Sequence, residues 1–127
     1  MIKVGFIGAG DIAYLHGEGV QASSNAQLHG IWNRTRAKAE EKASLFDTRV
    51  FDTAEELIEA VDVVYVLTNM ETHHAYCMQA IEAGKHVLVE KPTAVTIEEI
   101  EEIKAFAHQK GVQVAPVHNY IYEAPVI

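Results

Sequence analysis

The stretch with the most pointed chemistry is Gly8-Ala9-Gly10-Asp11-Ile12-Ala13, which fits the pattern G-x-G-x-x-G/A. It follows an apolar run, Ile2 to Ile7, and opens a helix-like segment, Asp11 to Ala22. In that setting Gly8 permits a tight turn, and Gly10 lets the backbone approach a pyrophosphate with no Cβ in the way. Ala13 lets the helix pack close to the strand. The N–H groups at the start of the helix, around Asp11 and Ile12, then meet negative charge. The same letters could mark a plain glycine turn, but their place between a strand and a helix predicts a dinucleotide site.

The end of the second strand refines that reading. NAD-binding domains commonly place an acidic residue about 20 residues beyond the glycines, where it accepts from the ribose hydroxyls. This chain has Asn33 there, followed by Arg34-Thr35-Arg36. No carboxylate repels a 2′-phosphate, and two guanidinium groups and a hydroxyl could bind one. The expected cofactor is NADP(H), with NAD(H) as the alternative. A methyltransferase-like adenosyl binder also uses a glycine-rich turn, but it would end its second strand on an acid, and Asn33-Arg34 has the wrong chemistry.

These residues need a scaffold, and strand-like and helix-like segments alternate to supply it. After the first strand and helix come a strand at Leu28 to Trp32, a helix at Thr35 to Leu45 and a short strand at Arg49 to Phe51. A helix follows at Thr53 to Ala60, with Thr53 and Glu56 forming a capping box. Val63-Val64-Tyr65-Val66-Leu67 is continuously apolar, as in a parallel strand covered on both faces. Thr72 to Ala83 is helical and stops at Gly84, and His86 to Val89 is a further buried strand. Thr96 to Lys110 is a helix with a second capping box, Thr96 and Glu99. It has an apolar stripe of Ile97, Ile100, Ile103, Phe106 and Ala107 and a wet face of Glu98, Glu99, Glu101 and Glu102. Val112 to Val117 is the last strand. The pattern predicts an α/β, doubly wound parallel sheet (a Rossmann fold), about six strands in the order 3-2-1-4-5-6 with helices on both faces.

Composition agrees. The chain has 127 residues, 49% of them hydrophobic and 22% charged, which is ordinary for one globular domain. A net charge of −8 argues against nucleic acid as a partner. Local backbone amides could still hold an anionic cofactor. Cys77 is the only cysteine, so no intrachain disulfide can form, which fits a reducing cytoplasm. The first residues, Met1-Ile2-Lys3-Val4-Gly5, begin no run suited to a signal peptide or a membrane helix. No membrane partner is expected.

Three more segments carry a resemblance: Thr68-Asn69-Met70-Glu71-Thr72-His73, Glu90-Lys91-Pro92 (preceded by Ala83-Gly84-Lys85-His86-Val87), and His118-Asn119-Tyr120. With the early glycine turn they resemble the glucose–fructose oxidoreductase / inositol dehydrogenase / MocA family of NAD(P)-dependent dehydrogenases, over essentially the whole chain. The resemblance implies hydride transfer between a nicotinamide cofactor and a sugar, cyclitol or similar polyol. It implies that Lys91 lies beside the nicotinamide and assists proton transfer, that Pro92 fixes the local turn, and that Glu90 helps hold the cofactor end of the site. Thr68 and Asn69 match the segment beside the ribose and nicotinamide, and His73 matches a histidine at the start of the next helix. Relatives usually have proline where this chain has Asn69. They often carry an arginine near Tyr120 or Ile121, which this chain lacks.

Relatives also continue into a mostly antiparallel sheet domain. The expected division is a dinucleotide-binding domain at 1–118 and, at 119–127, the start of a crossing segment into a substrate domain through which the full-length enzyme would oligomerise. The chain by itself is expected to bind cofactor without turnover. A stand-alone nucleotide-binding sensor module is the alternative, and the intact Glu90-Lys91-Pro92 counts against it. His73, His74 and Glu71 could suggest a metal, but adjacent helix residues face different ways, so no metal site is expected. His16, His29, His86 and His108 are scattered and suggest no shared role. Cys77 has apolar neighbours and reads as packed rather than reactive.

Overall fold

Apolar runs become strands and amphipathic runs become helices, in alternation, across residues 1–90, 94 and 96–117, which the computed structural model describes. The elements are β1 (Ile2–Ile7), α1 (Asp11–Ala22), β2 (Ala26–Trp32), α2 (Arg36–Phe46), α3 (Ala54–Ala60), β3 (Val63–Val66), α4 (Met70–Glu82), β4 (His86–Glu90), α5 (Ile97–Lys110) and β5 (Val114–Val117). Every strand pair is parallel, and the sheet order is β2-β1-β3-β4-β5. Parallel neighbours need a crossover, and a helix supplies each one.

Among the described residues the sheet has five strands rather than six. The expected strand at Arg49 to Phe51 is reduced to one parallel bridge between Ile31 and Val50. The Ile31 N–H donates to the Arg49 carbonyl at 2.9 Å, and the Phe51 N–H donates to the Ile31 carbonyl at 2.9 Å. Little chain is left for more, because α2 ends at Phe46, Asp47 turns with φ 55° and Thr53 already caps α3. The bridge uses the edge of β2 that faces away from β1, so the segment sits where the expected order puts a third strand.

Alternate side chains of the strands feed two cores. Ile7, Val64, Val66, Val87 and Val89 pack with Leu57 and Ile58 of α3, Ala80 and Ile81 of α4, and Ile103 of α5. Val4, Phe6 and Ile31 pack on the other face with Ala13 and Val20 of α1 and Ala39 and Ala43 of α2. Cys77 is fully buried in the first core, and burial pushes its thiol up to about 12, so it stays protonated at neutral pH. Two helix ends follow their sequence signals: Gly84 (φ 79°) lies just beyond α4, and Gly111 (φ 73°) caps α5. One stripe residue does not. Ile97 is 74% exposed, because the first turn of α5 lies outside the packed stretch that begins at Ile100. No helix among the described residues is long and apolar enough to cross a membrane.

Two glycines in α1 have opposite surroundings. A Cβ on Gly17 would lie 2.3 Å from the Phe46 ring, whereas one on Gly19 would meet nothing within 4 Å. Gly19→Ala is therefore expected to stabilise the fold by about 1 kcal/mol through helix propensity. Gly17→Ala is expected to destabilise it by about 1–3 kcal/mol through overpacking. Urea midpoints of the two variants check both signs, and a midpoint for Gly17→Ala at or above that of the parent would refute the packing argument.

Candidate functional site

Three strands end side by side, and the loops beyond them enclose one cleft. The Gly8 N–H donates to the Trp32 carbonyl at 2.8 Å, joining the end of β1 to β2, and the Leu67 N–H donates to the Ile7 carbonyl at 2.8 Å, joining β3 to β1. Gly8 has φ 116°, and a Cβ there would meet the Leu67 carbonyl carbon and oxygen at 2.8 Å. Only glycine fits. Gly10 differs: its φ of −81° suits any residue, it is exposed, and a Cβ would meet nothing within 4 Å. The fold does not demand glycine at this position. The space beside it is what its missing side chain leaves open.

Asn33 fixes the turn from the side. Its Oδ1 accepts from the Ala9 N–H at 3.0 Å, and its Nδ2 donates to the Thr35 carbonyl at 2.9 Å. A carboxylate could make the first bond but not the second, because it has no proton to give. The asparagine thus ties the glycine loop to the β2–α2 loop, a role that the absence of an acid did not reveal.

The cleft has a volume of about 390 Å³ and is lined by Gly8, Gly10, Trp32, Asn33, Arg34, Thr35, Lys38, Thr68, Asn69, Thr72 and Tyr76, with Ala9 and Leu67. Among the described residues, two cations and no carboxylate line it, in a chain of net charge −8. The rings of Trp32 and Tyr76 meet edge-on, centroids 5.9 Å apart. Burial raises the Tyr76 phenol above its usual range, against the opposing charge of Arg34, so the phenol stays protonated.

The helix ends repeat one pattern. The N-cap residues of α1, α2 and α4 are Gly10, Thr35 and Asn69; all three line the cleft, and none makes a side-chain capping bond. Thr53 of α3 and Thr96 of α5 lie off the cleft, and both cap: each hydroxyl accepts from the N–H three residues on, at 3.0 and 3.1 Å. Thr35 and Asn69 are residue types that cap well elsewhere. Three helix N-termini therefore bring unspent N–H groups and the positive ends of their dipoles to one cavity. Lys38 adds to this: in the first turn of α2, where a carboxylate would suit the dipole, the chain has Arg36 and Lys38 and no acid.

Of the residues singled out in the sequence, Gly8, Gly10, Asn33, Arg34, Thr35, Thr68 and Asn69 come together in the cleft wall. Asp11, Ile12 and Ala13 form the first turn of α1, with Ala13 fully buried against the sheet. Arg36 points elsewhere: Nη1 donates to Asp52 at 2.7 Å and Nε to Glu40 at 3.0 Å. Those bonds, that to Asp52 first, hold its guanidinium in the charged form. His73 is buried, and its ring meets the Thr68 carbonyl at 2.9 Å, so it braces the cleft rim from behind, while half-buried His74 pairs with Glu102 at 2.9 Å. Glu90 is buried and bonds His16 at 2.6 Å, so His16 is not the solitary residue its sequence position suggested. Lys91, Pro92, His118, Asn119, Tyr120 and Ile121 lie outside the described residues. Sequence reading missed Lys38, Thr72 and Tyr76. Lys38 had a signal, since Thr35-x-x-Lys38 puts a base where a capping box would put an acid.

The profile of the oxidoreductase family with an NAD-binding Rossmann fold, Gfo/Idh/MocA, matches residues 2–118. This chain belongs to that family. It is 34% identical over 122 residues to glucose-6-phosphate 3-dehydrogenase of Bacillus subtilis, covering 96% of this chain and 35% of that one. The crystal structure of GenD2 from gentamicin A biosynthesis in complex with NAD superposes with a TM-score of 0.90 at 31% identity, over 95% of this chain and 35% of that one. Biliverdin reductase from Synechocystis in complex with biliverdin and NADP+ gives 0.86 at 28%, over 91% and 37%. The chain thus spans about a third of the length of these relatives.

The two glycines of the turn should separate on mutation. Gly8→Ala is expected to cost about 2–3 kcal/mol of stability from strain and backbone collision. Gly10→Ala should stay within about 0.5 kcal/mol of the parent. Thermal or urea unfolding reads both, and equal losses would contradict the distinction drawn here.

Proposed function

We propose that this chain is the cofactor-binding part of an NADP-preferring dehydrogenase that acts on a sugar, cyclitol or similar polyol. The observation that carries the reading is the cleft on which three uncapped helix N-termini converge, lined by Arg34 and Lys38 and, among the described residues, by no carboxylate. Such a cavity suits a ligand with several phosphate charges. The relatives named above include proteins solved with NAD and with NADP+.

The residues fit a dinucleotide in a definite order. The open space at Gly10 and the first-turn N–H groups of Asp11 and Ile12 suit the pyrophosphate, while the Ala13 N–H is already donated to the Gly10 carbonyl at 3.0 Å. Arg34, Thr35 and Lys38 suit a 2′-phosphate; Arg36, occupied by Glu40 and Asp52, supports α2 instead. Trp32 and Tyr76 give that end an aromatic wall. Thr68 and Asn69 suit the ribose and nicotinamide end, with the Thr68 carbonyl held by His73. A bound nicotinamide cofactor would supply the hydride chemistry, as acceptor or donor. Lys91 moves the proton at the substrate hydroxyl, which family resemblance supports. Desolvation would bring a lysine there toward the neutral pKa that such a role needs. We expect the chain by itself to bind cofactor without polyol-dependent reduction.

The test is a paired titration with NADP and NAD, read by quenching of Trp32, the only tryptophan. Saturable quenching with NADP the tighter ligand is expected. Arg34→Glu and Lys38→Glu should each weaken NADP by about tenfold or more, while NAD changes by less than about threefold. Gly10→Ala should weaken both cofactors together, because it touches the shared pyrophosphate. Equal loss of both cofactors in the Arg34 and Lys38 variants would remove the 2′-phosphate assignment, and no quenching by either in the folded parent would remove the cofactor reading.

A further inference from the structure

Two of the hydroxyls on the cleft wall stand in a fixed order. Thr68 lies just beyond β3 and Thr72 in the first turn of α4, and both line the cleft. Oγ1 of Thr72 is 2.6 Å from Oγ1 of Thr68 and 2.7 Å from the carbonyl oxygen of Asn69. Oxygens this close need a proton between them. Each hydroxyl has one proton to give, and a carbonyl has none. The proton facing Asn69 can therefore come only from Thr72. The contact between the two hydroxyls must then take its proton from Thr68.

That order decides what Thr68 can offer a ligand. With its proton spent on Thr72, its side-chain oxygen has only lone pairs left, and it accepts. Its backbone is held as well, since the His73 ring donates to its carbonyl at 2.9 Å. The wall around Arg34, Lys38 and the starts of α1 and α2 is rich in donors, which suit phosphate. Thr68 Oγ1 suits the opposite, a hydroxyl or an amide N–H on the ligand, and would meet a phosphate oxygen lone pair to lone pair. A threonine hydroxyl with no such neighbour could turn its proton either way. Thr72 removes that choice.

We propose that Thr72 is a positioning residue that fixes Thr68 as an acceptor, so that Thr68 takes a hydrogen bond from the nicotinamide riboside half of the cofactor, from a ribose hydroxyl or from the carboxamide N–H. The two ends of the cleft then differ in polarity, with donors for the phosphates and an acceptor for the sugar and amide. That difference orients the dinucleotide and disfavours a phosphate at the Thr68 end. The proposal rests on the dinucleotide reading given under Proposed function.

The experiment compares the parent with Thr72→Val and Thr72→Ser. Affinity for NADP is read by Trp32 quenching. Affinity for adenosine 2′,5′-bisphosphate, which lacks the nicotinamide half, is read by its competition with NADP. Valine keeps the shape and frees the Thr68 proton, whereas serine keeps the hydroxyl. Thr72→Val is expected to weaken NADP by about three- to tenfold, the worth of one net hydrogen bond, and to change the bisphosphate by less than about twofold. Thr72→Ser should bring NADP back to within about twofold of the parent. In a Thr68→Val background, Thr72→Val should have no further effect, because the acceptor it positions is gone. The 3-acetylpyridine analogue of NADP, with a methyl in place of the amide nitrogen, separates the two donors. Sensitivity to Thr72→Val equal to that of NADP supports a ribose hydroxyl, and lost sensitivity supports the carboxamide. If Thr72→Val does not fold, Thr72→Ala takes its place. An unchanged NADP affinity in Thr72→Val, a loss that Thr72→Ser shares in full, or an equal loss for the bisphosphate overturns the role of Thr72 and leaves the cofactor reading standing. Absent NADP quenching in the folded parent sinks the cofactor reading, and the role of Thr72 with it.

Discussion

The backbone of β1 passes so close to the end of β3 that a methyl group on Gly8 would sit 2.8 Å from the Leu67 carbonyl. The cleft depends on that approach. With Gly8 against Leu67, the Gly8 N–H reaches Trp32 and the Leu67 N–H reaches Ile7, so three strand ends are locked at one level. The loops that leave them then have no choice but to share a space, and α1, α2 and α4 all start from its wall. A side chain at residue 8 would push β3 away and scatter the helix starts. Parallel topology makes this possible, since it brings the carboxyl ends of neighbouring strands to one edge of the sheet.

The second constraint is electrostatic. Globally the chain repels anions, with net charge −8. Locally, among the described residues, it gathers unspent N–H groups and two cations in one cavity with no carboxylate in the lining. Field at such short range is set by the nearest groups, because distant surface charges are screened over about 8–10 Å at ordinary ionic strength. The capping pattern sharpens the contrast: threonine caps where nothing else is available, at α3 and α5, and does not cap at α2, whose N-terminus faces the cleft.

Asparagine and histidine do the joining. Asn33 ties the glycine loop to the start of α2 because it can accept and donate at once. His73 braces the Thr68 carbonyl from the buried side, and His16 reaches Glu90 across β3. Each replaces what could have been an apolar contact with a directed one. Asn33 and His73 hold the rim of the cleft by bonds that specify angle as well as distance.

Much of this was legible in the residues themselves. Strand and helix periodicity, the glycine spacing, the two capping threonines and the absence of an acid at Asn33 are local properties, and local sequence determines them. The alternation of strands and helices also called for parallel pairing. What only the tertiary structure decided was partnership. Arg34 and Arg36 are alike in sequence, yet Asp52 and Glu40 claim the second and leave the first to the cleft. His16 and Glu90 are 74 positions apart, and nothing in either neighbourhood signals the other. The Arg49–Phe51 segment looked like a strand and became a bridge because the helices on either side left it too little chain. In each case the deciding group lies far off in sequence and near in space, a proximity that chain periodicity does not encode.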